Sequence, residues 1–430
     1  FLFVLDGLER VMIAYARFSA NSLEDDLLDE TTANYIGLIA SEDKNYERKI
    51  QLRKTIDPRI GYFLRKLANL KMSRFLVSSR LYPSDLQTIT GVPRVGCESF
   101  FLTGLSDDDA LALWYGLGGN GTKDSLLSTF QAFDNYPLLI RALAGEVCSF
   151  KRSPCGFEEW KNANPEFNAY LNLPFTQIKT HVFRHAMQGL GEREVHVLQL
   201  VASIRSPMPY QGIAHILIEE EAVFPSEKEL DTCLELLEDR GLLGWDRKSN
   251  RYDLHPIIRG IIWNHLNPHR KAQVYRALEK YLKYQNRKAR GKVETVDDVL
   301  MPIERFYAMV GQERYAEAWQ FFRTDLAKII FYKLNAIQQQ IEMLERLFPD
   351  GIDSPPAVKK PDQQSHICHT LALAYDLSGQ GSKAIDLYKR SARIDEGLGN
   401  HKDQAITMRS LVDALFWSGR FREAELLGIE

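Results

Sequence analysis

The chain has 430 residues, 45% apolar and 26% charged, with a net charge of −3. That length predicts about three or four domains, and the balance of residues is that of a folded globular protein. The small net charge argues against a general polyanion binder, and no apolar run approaches the ~18 residues of a membrane helix. The five cysteines, Cys97, Cys148, Cys155, Cys233 and Cys368, are scattered, with no C-x-x-C or zinc-finger spacing. Neither a disulfide framework nor a metal site is expected, and a reducing cytoplasm fits best.

In chain order, Phe1 to Leu5 is a continuous apolar run, as expected for a strand buried on both faces. It lacks a start methionine, a basic flank and a small-residue cleavage site, so it does not read as a signal peptide. Residues before Phe1 are expected to be missing, and Leu426 to Glu430 also stop inside a helical pattern. Leu8 to Phe18 reads as helix and Asn21 to Asn45 as an acidic loop. Asp57-Pro58 opens a predicted helix through Leu70, with Phe63, Leu64, Leu67 and Leu70 on one face. Arg74 to Ser79 is a second apolar strand and Glu98 to Leu102 a third candidate. Strands separated by helices imply a parallel sheet.

After Gly104 the pattern turns helical. Ser106 is placed to cap a helix whose first turn is Asp107-Asp108-Asp109, a favourable charge at the positive end of the dipole. Helical signals run through Ala144, broken at Gly116 to Thr122 and near Tyr136-Pro137. Further helices are predicted at Ile178 to Met187, Glu192 to Ile204, Tyr210 to Glu219 and Glu227 to Arg240, the last ending at Gly241. Leu242 to Trp245 and Arg251 to Leu254 flank a polar turn and read as a hairpin. Helices followed by such a hairpin are a winged-helix signature. From Arg270 onward the pattern is all-helical. Ala372, Tyr375, Gly379, Ala384, Tyr388 and Ser391 fall at tetratricopeptide positions, and Val412, Leu415, Gly419 and Ala424 recur at the same offsets. Gly379 to Gly419 spans about 40 residues, longer than the roughly 34 of the standard repeat. Ala318 and Phe322, after Gly311, suggest an earlier, degenerate unit.

Four places carry candidate chemistry. Asp6 ends the first strand, where an α/β sheet binds its ligand, and a carboxylate there holds the magnesium of a nucleoside triphosphate through water. Glu9, three residues on, is placed to polarise an attacking water. Arg80 follows the second strand, where a guanidinium reaches a terminal phosphate. Asn135-Tyr136-Pro137 breaks and restarts a helix. Leu254-His255-Pro256 follows the hairpin. Gly116-Leu117-Gly118-Gly119-Asn120-Gly121-Thr122-Lys123 has glycines at phosphate-loop spacing, but a Thr intervenes before Lys. It also lies between helices, and so reads as an interhelical loop. His181 and His185 have zincin-like spacing without the accompanying Glu, and read as a surface pair. His265 and His269 straddle Pro268 and share no regular helix face. Glu227 to Arg240 is acidic and would repel nucleic acid. The basic run Lys280 to Lys292 reads as a solvated helix end.

In order and approximate spacing, Asp6, Arg80, Pro137 and His255 resemble the motifs of the signal-transducing ATPases with numerous domains (STAND), NB-ARC type. The resemblance implies that Asp6 is the Walker B acid, with Mg held indirectly, and Arg80 the sensor arginine. It implies that Pro137 packs on adenine and that His255 contacts the β-phosphate of ADP. Asn135-Tyr136 stands where the family has Gly-Leu, and Leu-His-Pro where it has Met-His-Asp. The implied fold is multidomain: an α/β P-loop NTPase core with a partial parallel sheet, a helical lid, a winged helix and all-α tetratricopeptide-like repeats. The implied boundaries are 1–103 for the C-terminal part of the nucleotide-binding domain, 104–175 for the lid, 176–268 for the winged helix and 269–430 for the repeats.

The function so implied is an ADP/ATP signalling switch, a slow ATPase when intact, with the winged helix as an internal clamp. A protein or small-ligand trigger on the repeats and a homo-oligomer on activation are the expected partners; nucleic acid and membrane are not. No phosphate-binding loop precedes Asp6 in this sequence, so the chain alone is expected to bind nucleotide weakly or not at all. The alternative is a repeat-based interaction scaffold or transcription regulator with a vestigial nucleotide site.

Overall fold

The computed structural model describes residues 1–12, 53–55, 58–70, 72–79, 81–88, 91–100, 102, 104–171, 175–288, 293–295 and 297–429. The described residues up to Ser99, with those from Leu282 onward, form one compact unit; Phe100–Tyr281 form the other. Helices dominate both, beside a small parallel strand pair and a small antiparallel sheet.

In the first unit, strand β1 (Leu2–Leu5) pairs in parallel with β2 (Arg74–Val77), Leu2 opposite Arg74 and Leu5 opposite Val77. Apolar and aromatic residues favour the extended chain, and Phe3 stacks on Phe75 at 5.0 Å. The expected burial on both faces is not met: Phe1, Leu2, Phe3 and Val4 are exposed. The sheet has two strands among the described residues, too narrow to cover its own apolar side chains. Glu98 to Leu102 contributes no third strand: residues 98–100 and 102 are irregular, and Phe100 and Leu102 are exposed. After β1 the chain makes a single 3-10 turn, Leu8–Val11, rather than entering an α-helix there. The rest of that predicted helix, beyond Met12, and the Asn21 to Asn45 loop lie outside the described residues.

Helix α1 (Pro58–Leu67) stops three residues short of the predicted end. Its expected inner face is thin: Leu64 is buried, while Phe63 and Leu70 are exposed. A carboxylate instead anchors it. Asp85 accepts from Arg65 Nη1 at 2.6 Å and from both the amide and the hydroxyl of Thr55 at 3.0 Å. Gly61 makes room for this, since a Cβ there would stand 2.3 Å from Asp85 Oδ1.

The rest of the first unit is helical: α13 (Leu300–Val310), α14 (Tyr315–Phe321), α15 (Ile337–Glu345), α16 (Pro361–Leu377), α17 (Gly381–Gly397), α18 (His401–Trp417) and α19 (Phe421–Ile429), numbered after those of the second unit. π-helical turns at Phe322–Leu326 and Ile329–Lys333 extend α14. The repeat pattern folds as helical hairpins. Ala372, Tyr375, Ala384, Tyr388 and Ser391 are all fully buried, where small residues let helices approach and the tyrosines fill the gaps. Gly379 and Gly419 turn the two hairpins at φ +82° and +77°, a conformation that costs glycine little. Each turn contains the same backbone bond, Gln380 N to Tyr375 O at 2.8 Å and Arg420 N to Leu415 O at 2.9 Å.

The same bond recurs at Arg314 N to Met309 O, 3.0 Å, between α13 and α14. The degenerate unit is therefore present, but its turn residue is Glu313 at φ +59°. Gly311, the expected turn, is a right-handed helix cap at φ −64°. Arg314 and Arg420 each pair with the glutamate three residues on, and Lys383 reaches back to Gln380 at 2.9 Å. This side-chain clasp across the first helical turn was not part of the predicted pattern.

The second unit holds α2 (Asp107–Gly116), α3 (Lys123–Ala132), α4 (Pro137–Cys148), α5 (Phe157–Ala163), α6 (Glu166–Tyr170), α7 (Phe175–Gln188) and α8 (Glu192–Ser203). It continues with α9 (Tyr210–Ala214), α10 (Glu227–Asp239), α11 (Pro256–His265) and α12 (Pro268–Lys288), the unit boundary falling within α12. Ser106 caps α2 as expected, its Oγ accepting from Asp109 N at 3.2 Å. The core of α2 to α7 is aromatic: Trp114 meets Phe130 and Phe157 at 5.5 and 5.6 Å, and Trp160 meets Phe167 at 4.9 Å. Cys148, ending α4, is joined to Cys155 in the following loop. A bridge between cysteines seven residues apart departs from the expectation of free, scattered thiols.

α9 runs into a π-helical turn, His215–Glu220, in place of one regular helix. The predicted hairpin forms as β4 (Gly244–Asp246) and β5 (Arg251–Asp253). A third short strand, β3 (Met208–Pro209), adds to the other edge of β5, giving the order β3-β5-β4.

Candidate functional site

The parallel register decides what surrounds Asp6. With Leu5 opposite Val77, both chains leave the sheet side by side. Ser78 N donates to Leu5 O at 3.0 Å, and Leu8 N donates to Ser78 O at 3.0 Å. The Ser78 hydroxyl then donates to Asp6 Oδ1 and accepts from Gly7 N at 3.0 Å. Gly7 turns the chain here at φ +71°. One oxygen of an exposed carboxylate is thus held by a neighbouring strand end while the other keeps its acceptor capacity. A hard oxygen at a strand tip suits a hydrated magnesium ion. Glu9 lies in the 3-10 turn that follows. Arg80 lies outside the described residues, two positions beyond Ser78.

Pro137 and His255 belong to the second unit, whereas Asp6 and Glu9 belong to the first. Pro137 is the first residue of α4, where its missing N–H is not needed, and its ring is exposed. The turn before it is left-handed at two successive residues, Asp134 at φ +54° and Asn135 at φ +51°. Asparagine is among the few non-glycine residues that enter this region readily. Asn135 therefore meets the backbone requirement that a glycine would meet. Its side chain adds two bonds, donating to Leu105 O at 3.0 Å and Asp107 Oδ1 at 2.8 Å.

His255 sits half-buried between β5 and α11, and its carbonyl accepts from Arg259 N at 3.0 Å. The buried Arg259 fixes that helix. Its guanidinium donates to Val201 O at 2.8 Å, Ala202 O at 3.2 Å, Ile204 O and the Asp253 carboxylate. One cation thereby satisfies the carbonyl end of α8 and ties it to the hairpin that carries His255. The sequence showed His255 but not the importance of Arg259, whose carbonyl partners lie more than fifty residues away.

The glycine-rich decoy lies between α2 and α3, and its amides are already taken. Gly119 N donates to Trp114 O at 3.1 Å, Asn120 N to Cys155 O at 2.8 Å, and Thr122 N to Glu158 Oε1 at 2.6 Å. Burial would raise the Glu158 carboxyl, but the bonds from Thr122 outweigh it and hold the group below the usual range. An anionic side chain thus occupies the helix start that a phosphate would need.

The expected surface pair of histidines is corrected. His185 is mostly buried, its Nδ1 3.6 Å from Glu146 and its Nε2 3.7 Å from Glu166. Arg240 stands 3.9 Å from the other Glu146 oxygen, and Trp160 packs edge-on against the imidazole at 5.4 Å. No group of three or more metal-ligating side chains occurs among the described residues. The Glu146 carboxylate raises the His185 pKa against the opposing effect of burial. A raised folded-state value means that His185 contributes stability below its unfolded pKa of about 6.5 and loses that contribution as pH rises through the higher folded value. The stability difference between wild type and His185→Gln should therefore shrink from pH 5.5 to pH 8. Urea unfolding at the two pH values checks this, and a pH-independent difference would contradict it.

His265 and His269 lie on separate helices, as expected; His265 Nδ1 meets Ile261 O at 2.7 Å and His269 Nε2 meets Gln273 at 3.0 Å. On α10, Glu227, Glu229, Asp231, Glu235 and Asp239 face solvent. Lys280 pairs with Glu220. No helix among the described residues is long and apolar enough to cross a membrane.

No protein-family model matches the sequence, and no curated protein matches it. Among solved structures the chain is similar to the Signal Transduction ATPase with Numerous Domains (STAND) protein with a tetratricopeptide repeat sensor from Pyrococcus horikoshii. The two are 15% identical with a TM-score of 0.40, over 99% of this chain and 66% of that one.

Proposed function

We propose that this chain is part of a nucleotide-dependent switch of the STAND, NB-ARC type, in which ADP holds a closed state and ATP favours an open, assembling one. The observation that carries the reading is the strand pair. Asp6 and Ser78 leave adjacent parallel strands and hydrogen-bond to each other, which supports a magnesium acid at Asp6; in this reading Arg80 would be the phosphate sensor. The left-handed Asn135 turn before Pro137 supports the adenine-packing motif despite its changed residues. In this reading, residues 104–175 are the lid, 176–268 a winged helix, and 269–430 the sensing repeats. Magnesium, when bound, would neutralise phosphate charge at Asp6, and Glu9 would orient water for slow hydrolysis. Trigger binding to the repeats would shift a two-state equilibrium by its differential affinity for the open form.

The test is ADP affinity in the full-length protein, read by fluorescent-nucleotide titration with magnesium. Losing one hydrogen bond to a charged phosphate costs about 1.5–3 kcal/mol, roughly ten- to a hundredfold in Kd. His255→Ala is expected to weaken ADP by that amount, and Asp6→Ala to weaken Mg–ATP and stop hydrolysis. Unchanged affinities in both variants would refute the switch.

A further inference from the structure

The charged cluster around His185 divides cleanly along the chain. Its two carboxylates, Glu146 and Glu166, come from α4 and α6, within residues 104–175. Its two cations, His185 and Arg240, come from α7 and the end of α10, within residues 176–268. Glu146 stands between His185 at 3.6 Å and Arg240 at 3.9 Å, and these three side chains are between 11% and 17% exposed. The backbones meet at the same place. A Cβ on Gly145 would stand 2.5 Å from Arg240 Cα, and one on Gly241 would stand 2.8 Å from Arg141 Cγ. Arg141 Nη2 donates to Glu238 O at 3.3 Å, and Arg240 Nη1 donates to Ala186 O at 3.5 Å. Each guanidinium thus reaches the carbonyl end of another helix, the end that favours a cation. Charges at this depth are screened far less than at the surface. They balance, two against two, only while the imidazole carries its proton. The other elements near the imidazole turn elsewhere or present no charge: α5 supplies the Trp160 ring, and α11 directs Arg259 to the end of α8 and to Asp253, and His265 to Ile261 O. On α7 itself, Arg184 precedes His185 and is exposed, and His181 lies about one turn back.

We propose that this cluster is a proton-sensitive clasp that holds the lid helices against the winged helix and releases them when His185 is deprotonated. The proposal rests on reading residues 104–175 as the lid and 176–268 as the winged helix, and adds how their closed contact is regulated. Deprotonation leaves two carboxylates against one cation, an excess negative charge that the closed contact buries and an opened one returns to water. His185 holds its proton more tightly in the closed contact, where the Glu146 carboxylate raises its pKa, than it would in water. By linkage, the closed state is favoured below about pH 6.5, the ordinary histidine value, and loses that advantage as pH rises through the higher closed-state value.

The test uses the full-length protein loaded with a fluorescent ADP analogue, whose release into excess ADP is timed at pH 6 and pH 8. Release from wild type should be roughly tenfold faster at pH 8. His185→Gln should release quickly at both pH values, and Glu146→Gln should be fast at pH 6 as well. His181→Gln, altering the other histidine of α7, should behave as wild type. A pH dependence that survives in His185→Gln, such as one arising at His255, would overturn the proposal. Hydrogen exchange at pH 6, read by mass spectrometry, gives a second measure that needs no nucleotide. There, His185→Gln and Glu146→Gln should each speed exchange in segments 141–149 and 237–243 by roughly tenfold, while α2, α3 and the repeats keep wild-type protection. Unchanged exchange in those two segments, or a loss of protection spread evenly over the chain, would overturn the clasp. The two measures separate the readings. Protein that holds no nucleotide but shows the local change in exchange sinks only the switch; protein that holds ADP and shows neither effect sinks only the clasp.

Discussion

Arg259→Ala is expected to destabilise the second unit by about 3 kcal/mol or more, from buried carbonyls left without a donor. Arg259 is only 5% exposed and holds Val201 O, Ala202 O, Ile204 O and Asp253 at once. Without it, three carbonyls at the end of α8 lose their donor in a place water does not reach, and each such orphan costs about 1–3 kcal/mol before relaxation. Arg259→Lys should fare only slightly better. It keeps the charge, but a single ammonium cannot spread donors over three carbonyls and a carboxylate. Urea denaturation followed by circular dichroism reads the loss. If Arg259→Lys matches wild type, charge alone is what matters and the carbonyl-capping account is wrong. If His255 contacts a nucleotide, its affinity should fall along with stability, because α11 is held through Arg259.

Gly104→Ala should cost about 3 kcal/mol, at the upper end of overpacking. A Cβ at this position would stand 1.5 Å from Asp134 O and 2.7 Å from the Asp134 carbonyl carbon. Those atoms are backbone, in a turn whose two left-handed residues are pinned by Leu105 N to Asn135 O at 3.1 Å and by the Asn135 side chain. No rotamer change relieves the overlap, so either the 104–105 segment or the turn before Pro137 must move. A variant with an unchanged melting temperature would mean that the close approach is not needed. If the turn presents Pro137 to a nucleobase, the same substitution also weakens adenine nucleotides.

What was legible in the sequence were features with local physical causes. Ser106 before three aspartates has one good use, a helix cap, and Gly379 and Gly419 before small residues mark hairpin turns. The parallel pairing of Phe1–Leu5 with Arg74–Ser79 followed from two apolar runs with a helix between them. What failed depended on distant partners. Burial of β1 cannot be read from β1, because it depends on how many strands join it. The turn at Glu313 escaped notice because a glycine two residues earlier, Gly311, suggested a different position, while the positive φ is imposed by the hairpin around it. Met208–Pro209 is too short to show a strand pattern and pairs only because β5 offers an edge. The His185 cluster draws Glu146 from α4, Glu166 from α6 and Arg240 from the end of α10, and no spacing in the sequence reports that.

At the candidate site, residue types were legible and their supports were not. Asp6 was visible as the end of an apolar strand, but the Ser78 hydroxyl that fixes it was not. Asn135 looked like a departure from a glycine motif until its φ of +51° showed the same backbone demand.

The switch is tested most directly by the nucleotide that the full-length protein carries through purification. Protein purified without added nucleotide is denatured, and the released small molecules are separated by ion-exchange chromatography and counted against chain concentration. The account predicts ADP at close to one per chain, falling severalfold or more in His255→Ala. Native, folded protein that releases no adenine nucleotide, and gains none after incubation with magnesium and ADP, would contradict it.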